Sequence, residues 1–392
     1  MKRFKRQLIH TLLVFFLLLT NNLPALCQPQ SADKDMDSVE ISLLTCGPRP
    51  YVYSLYGHTA IRFNDKARDT DLAINYGVFS FDKPFFVLRF VFGLTDYEMG
   101  IEYFSDFVAN YAASGCGIRQ QVLNLTNKEK RAIADAIYTN YEPQNRVYRY
   151  NYFYNNCTTK ARDIILSHIN GKVTYHNKID SSRSFRQLIH QYNETHRWAR
   201  FGNDLLLGVK ADLHTSHAEQ QFLPEHLADD FAKAKIQDGN KASRPLVTSD
   251  TWVLPRTSDV GSDSFPLSPF VCMLAIALAV VALTVIETLR KANYWWLDLA
   301  LMLSTGLCGL ILLAMVFSQH PTVSLNLQIL LLNPLSLFMA IPTTKAIRKG
   351  KRNWWIKTWA ACILIFLIAG FFLDYAEGLI FVALSLLLRY HK

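Results

Sequence analysis

The chain has 392 residues, seven cysteines and a net charge of +9, with half of its residues hydrophobic, and its mean hydropathy lies close to zero. That length exceeds one ordinary domain, and the average hides two compositions: charge is spread over residues 28–260, whereas the chain from Leu267 onward is apolar with its charges gathered between apolar runs. Much of the basic excess sits in the first six residues and in residues 345–352, beside hydrophobic segments, which argues for membrane topology and against a nucleic-acid partner.

The N-terminus runs Met1-Lys2-Arg3-Phe4-Lys5-Arg6, then an apolar stretch over 8–19, then Pro24-Ala25-Leu26-Cys27. This order of basic, apolar and small residues predicts a signal peptide over residues 1–27, cut after Cys27, with an uncleaved anchor as the alternative. Leu26 fits poorly the box that would make Cys27 itself a lipidation site. Export leaves Cys46, Cys116 and Cys157 in an oxidising compartment, and three thiols cannot all pair. A Cys46–Cys116 disulfide is the pairing that leaves Cys157 free. Cys272, Cys308 and Cys362 fall in apolar runs, where a cysteine behaves as a small buried side chain.

A short β-type run over 39–44 leads into the turn cluster Thr45-Cys46-Gly47-Pro48. The segment Gly57-His58-Thr59-Ala60-Ile61-Arg62-Phe63 alternates like a strand, and residues 72–79 return as its antiparallel partner. With the turn centred near Ala67, Asn75 pairs close to Ala60 and shares a face with His58. Residues 120–125 predict another strand, and Thr126 or Asn127 caps a helix with Ile133 and Ile137 at helical spacing. Asn155 or Asn156 caps a second helix, running through Ala161, Ile165 and Ile169 to a C-cap at Gly171.

Cys157 therefore falls in the first turn of a helix, where unpaired N–H groups and the helix dipole favour an anion and lower a thiol pKa. A thiolate suits acyl transfer, with His58 taking and returning the proton, Asn75 or Asp82 orienting the ring, and helix-start N–H groups near Asn156 and Thr158 binding an oxyanion. The cluster His214, His217 and Glu219 matches no standard zinc spacing and reads as a solvated polar face. No phosphate-binding glycine loop is present, and the chemistry calls for no metal, nucleotide or other cofactor.

Residues 238–264, rich in Ser, Gly, Asn and Asp, read as a linker between an extracytoplasmic domain over 28–237 and a membrane domain over 265–392. Apolar runs near 267–288, 295–317, 323–342, 356–373 and 376–390 predict about five spans. Basic loops at 290–291 and 345–352 and a basic tail at 389–392 fall on one side, while 318–322 and 374–377 carry no Lys or Arg, so the first domain lies outside and the C-terminus in the cytoplasm. Trp295, Trp296, Trp354 and Trp355 sit at span ends as interfacial anchors. His320, Asn326 and Asn333 place polar groups at the outer end of the bundle, where they either bond neighbouring helices or contact substrate.

The motifs Cys46-Gly47-Pro48, Leu55-Tyr56-Gly57-His58-Thr59-Ala60, Asn75-Tyr76-Gly77, Asn155-Asn156-Cys157-Thr158-Thr159, Phe222-Leu223-Pro224, His320-Pro321 and Asn333-Pro334 resemble those of Lnb-type bacterial lipoprotein N-acyltransferases. The resemblance covers most of the mature chain. It implies an α+β domain of permuted papain-like, NlpC/P60-related fold followed by an all-α membrane bundle in the bacterial inner membrane. It also implies transfer of a fatty acyl group from a phospholipid donor, through a Cys157 thioester with His58 as base, to the α-amino group of a diacylated lipoprotein acceptor. Lys160 departs from the Arg expected after the Thr pair, and Cys116 is not a family feature. Two other readings fit the same residues: a membrane-tethered cysteine peptidase or amidase acting on cell-wall peptides, and a non-enzymatic assembly factor with a structural Cys157.

Overall fold

A computed structural model describes residues 36–391 apart from 50, 80–81, 83, 240–241, 258–260, 263–264 and 352, so the signal peptide expected over 1–27 lies outside the described residues. The chain from Ser38 onward is one compact unit. It opens with β1 (Val39–Cys46), β2 (His58–Asp65), β3 (Thr70–Val78), α1 (Phe86–Val91), β4 (Asp96–Tyr103), α2 (Phe104–Ala113), β5 (Ile118–Leu123), α3 (Asn127–Tyr141), β6 (Val147–Arg149) and α4 (Cys157–Leu166). There follow β7 (Lys172–Thr174), α5 (Phe185–His190), α6 (Arg197–Leu206), α7 (His217–Gln220), α8 (Pro224–Lys233), β8 (Lys235–Gln237), β9 (Arg244–Pro245) and β10 (Val247–Leu254).

Seven strands form one antiparallel sheet in the order β10-β5-β1-β2-β3-β4-β6, and β7, β8 and β9 make a second, smaller sheet. The alternation read in β2 and β3 sets their register: Ala60 stands opposite Asn75, as the turn position requires. On one face α2 lays Phe104, Phe107 and Tyr111 over Leu44, Ala60, Ala73 and Ile118. Each such ring contributes roughly 1.5–3 kcal/mol by leaving water. Helix α4 packs on β2 and β3, and α8 on β1.

Three expectations need correction. Helix α4 stops at Leu166, five residues before Gly171, which has a φ of +111° just before β7 and where a Cβ would meet the Gln237 carbonyl at 2.5 Å. The segment read as a linker is partly sheet: β10 lies within it and pairs with β5, and Arg244 sends Nη2 to both oxygens of the buried Glu129 at 2.6 and 2.7 Å. Its polar residues point outward from an edge strand, so composition alone resembled a linker. Cys46 and Cys116 are both free thiols: the buried Cys46 hydrogen-bonds Tyr111, and Cys116 donates to the Pro48 carbonyl at 3.2 Å.

The apolar third of the chain folds as α9 (Pro269–Leu289), α10 (Trp295–Val316), α11 (Leu335–Arg348), α12 (Trp354–Ala369) and α13 (Leu379–His391). Among the described residues three helical segments are long and apolar enough to cross a membrane: Pro269–Leu289, Trp295–Val316 and Leu327–Arg348; α12 and α13 are shorter. The third is not a continuous α-helix. It starts as a 3₁₀ turn over Leu327–Leu330 and becomes α11 only after Asn333-Pro334, whose backbone closes on Gly309 so tightly that a Cβ there would meet the Leu332 carbonyl at 2.3 Å.

Two residues taken for membrane-face features are interior. Trp355 is buried, with its ring stacked near Trp359, while Trp354 stays exposed. Arg389, counted with the basic tail, is buried between three helices, bidentate to Asp298 at 2.6 and 2.7 Å and bonded to Glu287 at 3.0 Å. Removing one partner of such a cluster leaves uncompensated charge. Arg389→Ala is therefore expected to cost about 3–5 kcal/mol, read as a fall in the melting temperature of the detergent-solubilised protein. An unchanged melting temperature would place this guanidinium in solvent.

Candidate active site

Cys157 occupies the first position of α4, and the preceding residue sets it there. The buried Asn156 accepts the N–H groups of Thr158 at 3.0 Å and Thr159 at 2.9 Å, while the Thr159 hydroxyl accepts the Asn156 N–H at 2.9 Å. The Asn156 amide nitrogen donates in turn to the carbonyls of Tyr152 at 3.0 Å and Phe222 at 2.9 Å. This capping box uses up two of the N–H groups expected to form an oxyanion site, and only the N–H of Cys157 itself remains at the helix start. Thr158 is buried and bonds Thr59 hydroxyl to hydroxyl at 3.1 Å, tying α4 to β2.

His58, at the first position of β2, meets the thiol over Gly77. A Cβ on Gly77 would lie 3.6 Å from both the Cys157 Cβ and the His58 Cε1, and this residue holds a φ of +146° where the β3–β4 register shifts. The His58 Nε2 donates to the Asn75 Oδ1 at 2.9 Å, which leaves Nδ1 for the thiol. Asn75 is oriented by Glu102, a carboxylate that accepts from its Nδ2 at 2.7 Å. Since an ionised carboxylate only accepts, the amide is fixed with oxygen toward the ring. Asp82, the other candidate orienter, is exposed and does not line the cleft.

Burial by itself would push the Cys157 thiol up. The charge of His58 and its hydrogen bond, with help from the Thr59 N–H and the Thr158 hydroxyl, outweigh it and hold the thiol at about 7. The partner moves the other way: burial would lower His58, but the Cys157 charge and hydrogen bond and the Asn75 contact raise it. Both shifts favour a thiolate–imidazolium pair. Cys46, by contrast, is driven far up by burial and is unfit as a nucleophile.

The thiol opens into a cleft of about 240 Å³ with a largely aromatic wall that includes Tyr56, Phe79, Tyr97, Tyr150, Tyr152 and Phe222. Arg49 lies at its rim with the guanidinium 4.0 Å from the Tyr111 ring centre, and its Nε is buried with no protein acceptor among the described residues. No cluster of metal-ligating side chains occurs among the described residues.

The three polar residues of the membrane end do not line this cleft. His320 bridges outward, Nε2 to the Phe90 carbonyl at 3.1 Å and Nδ1 to Asn151 at 3.4 Å; Asn326 donates to the Leu205 carbonyl at 2.8 Å; Asn333, just before α11, accepts the Leu335 N–H at 3.0 Å. His320 and Asn326 thus serve neither of the two expected roles, a bond to a neighbouring membrane helix or a substrate contact in the cleft; they join the domains through backbone carbonyls of the first domain. Buried Gln328 does the same, donating to the Asp204 carbonyl at 2.9 Å and accepting the Ala376 N–H at 3.0 Å.

Comparison with known families then gives two matches. Residues 27–191 match the Lnb N-terminal periplasmic domain, and residues 261–392 match the Lnb transmembrane domain. The chain belongs to the Lnb family. Lnb domains mark a membrane protein of lipoprotein maturation, with its N-terminal domain in the periplasm and its helices in the inner membrane. No curated protein and no solved structure matches the chain. The stretch between the two Lnb matches is not idle, since Phe222, Leu223 and Pro224 of that stretch form part of the cleft wall.

Sequence reasoning missed Glu102, Arg49 and Thr59 in this Lnb site. Glu102 sits one strand beyond Asn75 and becomes a neighbour only through the β3–β4 register, in which Asn75 faces Gly100. Arg49 was legible only as part of a turn. Alkylation of Cys157 by iodoacetamide should rise with pH through a midpoint near 7 and, in His58→Ala, through one moved up toward the ordinary thiol value of about 8.5. Identical profiles in the two proteins would remove His58 from the thiol's environment.

Proposed function

We propose that the chain is a lipoprotein N-acyltransferase that carries a fatty acyl group from a membrane phospholipid, on Cys157, to the α-amino group of a diacylated N-terminal cysteine. The observation that carries this reading is the Cys157 thiol, held low by His58, opening into an aromatic cleft whose wall residues Tyr56 and Phe222 share a core cluster with Met315 and Val323 of the membrane part.

The Cys157 thiolate attacks the ester carbonyl of the donor, and the N–H of Cys157 faces the developing oxyanion. The C–O bond breaks, the departing lysophospholipid alkoxide takes the proton from the His58 imidazolium, and a thioester is left on Cys157. The acceptor amine then attacks the thioester carbonyl. His58 takes the amine proton, the C–S bond breaks, the amide is complete and the thiolate returns. Glu102 and Asn75 keep the ring turned so that one nitrogen serves both steps. Aromatic walls keep water from the thioester, whose hydrolysis would waste the acyl group. Arg49 offers a cation for the donor's phosphate. The order of His58 before Cys157 in the chain, on a strand and at a helix start respectively, agrees with a permuted papain-like arrangement.

Mass spectrometry of lipoprotein N-termini tests the reading. Cells that depend on this protein should lose N-acylation with Cys157→Ser or His58→Ala at wild-type protein levels, and the wild-type protein should yield a Cys157 thioester when acceptor is withheld. Unchanged lipoprotein N-termini together with altered cell-wall peptides would replace the transferase by a peptidase or amidase.

A further inference from the structure

Helix α1 and its flanks read Pro84-Phe85-Phe86-Val87-Leu88-Arg89-Phe90-Val91-Phe92-Gly93-Leu94, with Arg89 the only charge. A soluble surface rarely shows so dense an apolar patch, yet Phe85 is 76% exposed, Leu88 55%, Leu94 38% and Phe90 37%. The place of this segment in the fold identifies its surroundings. The turn that leaves the outer end of α10 holds it by three carbonyls: Ser318 Oγ donates to that of Val91 at 2.8 Å, the Gln319 N–H to that of Phe92 at 2.9 Å, and His320 Nε2 to that of Phe90 at 3.1 Å. Phe317, the last residue before that turn, is itself 73% exposed and continuous with the lipid-facing side of the span. A helix fixed within one turn of a span's end lies at the depth of the outer bilayer interface.

From this helix a row of rings leads inward. Phe90 and Phe86 are stacked at 6.5 Å, Phe86 on Phe79 at 5.5 Å, Phe79 on Tyr97 at 4.8 Å and Tyr97 on Tyr150 at 4.1 Å. The last three of these residues line the cleft that holds Cys157. The row is aromatic from the exposed surface to the wall of the thiol cleft, its only polar atoms being the hydroxyls of Tyr97 and Tyr150.

We propose that α1 is an interfacial membrane helix and that its ring row is the lane by which a phospholipid acyl chain passes from the outer leaflet to Cys157. The proposal rests on the thiol-transferase reading for its substrate, but its geometry can be tested without any transfer reaction. The carboxylate of Asp96 is shared by Arg89 at 3.5 Å and Arg149 at 2.6 Å, so this cluster of two guanidiniums and one carboxylate keeps a net positive charge at headgroup level. An acyl chain sliding along stacked rings loses no hydrogen bonds and meets none that it must break.

The test uses the full-length protein in phospholipid vesicles and two thiol reagents, N-dodecylmaleimide dissolved in the bilayer and iodoacetamide in the water, with labelling at Cys157 read by peptide mass spectrometry. Leu88→Glu and Phe85→Glu, which set a charge on the exposed face, should slow dodecylmaleimide at least tenfold and leave iodoacetamide unchanged. The same charge on the exposed side of α3, Tyr138→Glu, should change neither rate. Dodecylmaleimide labelling at the wild-type rate in both α1 variants, or equal slowing with both reagents, would overturn the lane. A wild-type Cys157 that reacts with neither reagent would instead overturn the thiol site itself, so the two failures are distinct.

Discussion

The side chain of Asn156 makes four hydrogen bonds, and the position of the Cys157 thiol follows from them. Its oxygen closes the start of α4, and its nitrogen holds the carbonyls of Tyr152 and Phe222, two segments far apart in sequence. An alanine here would lose a cap of about 1 kcal/mol and also strand buried N–H and C=O groups at about 1–3 kcal/mol each. The cap thus joins three walls of the cleft at the one point where a nucleophile can use the helix start. The same two segments also meet through the rings of Tyr152 and Phe153 on Phe222, so the Asn156 bonds set polar contacts on an apolar junction.

The second constraint is the relay behind His58. Glu102 fixes Asn75, Asn75 fixes the ring, and the ring stabilises the thiolate. Burial raises the Glu102 carboxyl, and the Asn75 hydrogen bond offsets part of that rise. Such a relay gives orientation without a full carboxylate on the imidazole, which suits a base that must give its proton back. Gly77 completes it, because its φ of +146° is one that side-chain-bearing residues rarely adopt and its open Cβ side lies against both the Cys157 Cβ and the His58 Cε1.

Much of this was legible in the sequence, and the reasons differ from residue to residue. Register between β2 and β3 could be read because a polar turn of definite length separates two alternating runs, and the α4 start because an Asn before a Cys-Thr-Thr run is a strong cap. The two Lnb domain matches agree with the split between a polar first part and an apolar last third. What escaped reading depends on contacts between distant segments. Glu102 is silent until β4 pairs with β3; Arg389 looks like any tail cation until α9 and α10 bring Glu287 and Asp298 to it; β10 looks like a linker because an edge strand exposes its polar side. Asn326 was visible as a costly polar group, but only its bond to the Leu205 carbonyl shows that it joins two domains.

That edge strand has a consequence for how the protein is made. β10 closes the sheet beside β5, yet it is finished only at Leu254, a short way before Pro269 begins the first membrane helix. As the chain emerges from the translocation machinery, the sheet still lacks its last strand until the first span is nearly due. Completion of the fold outside and entry of the helices into the bilayer are therefore neighbouring events in time. A cut at the polar stretch before β10 would release a domain with the β5 edge bare, a ready template for pairing with a second copy.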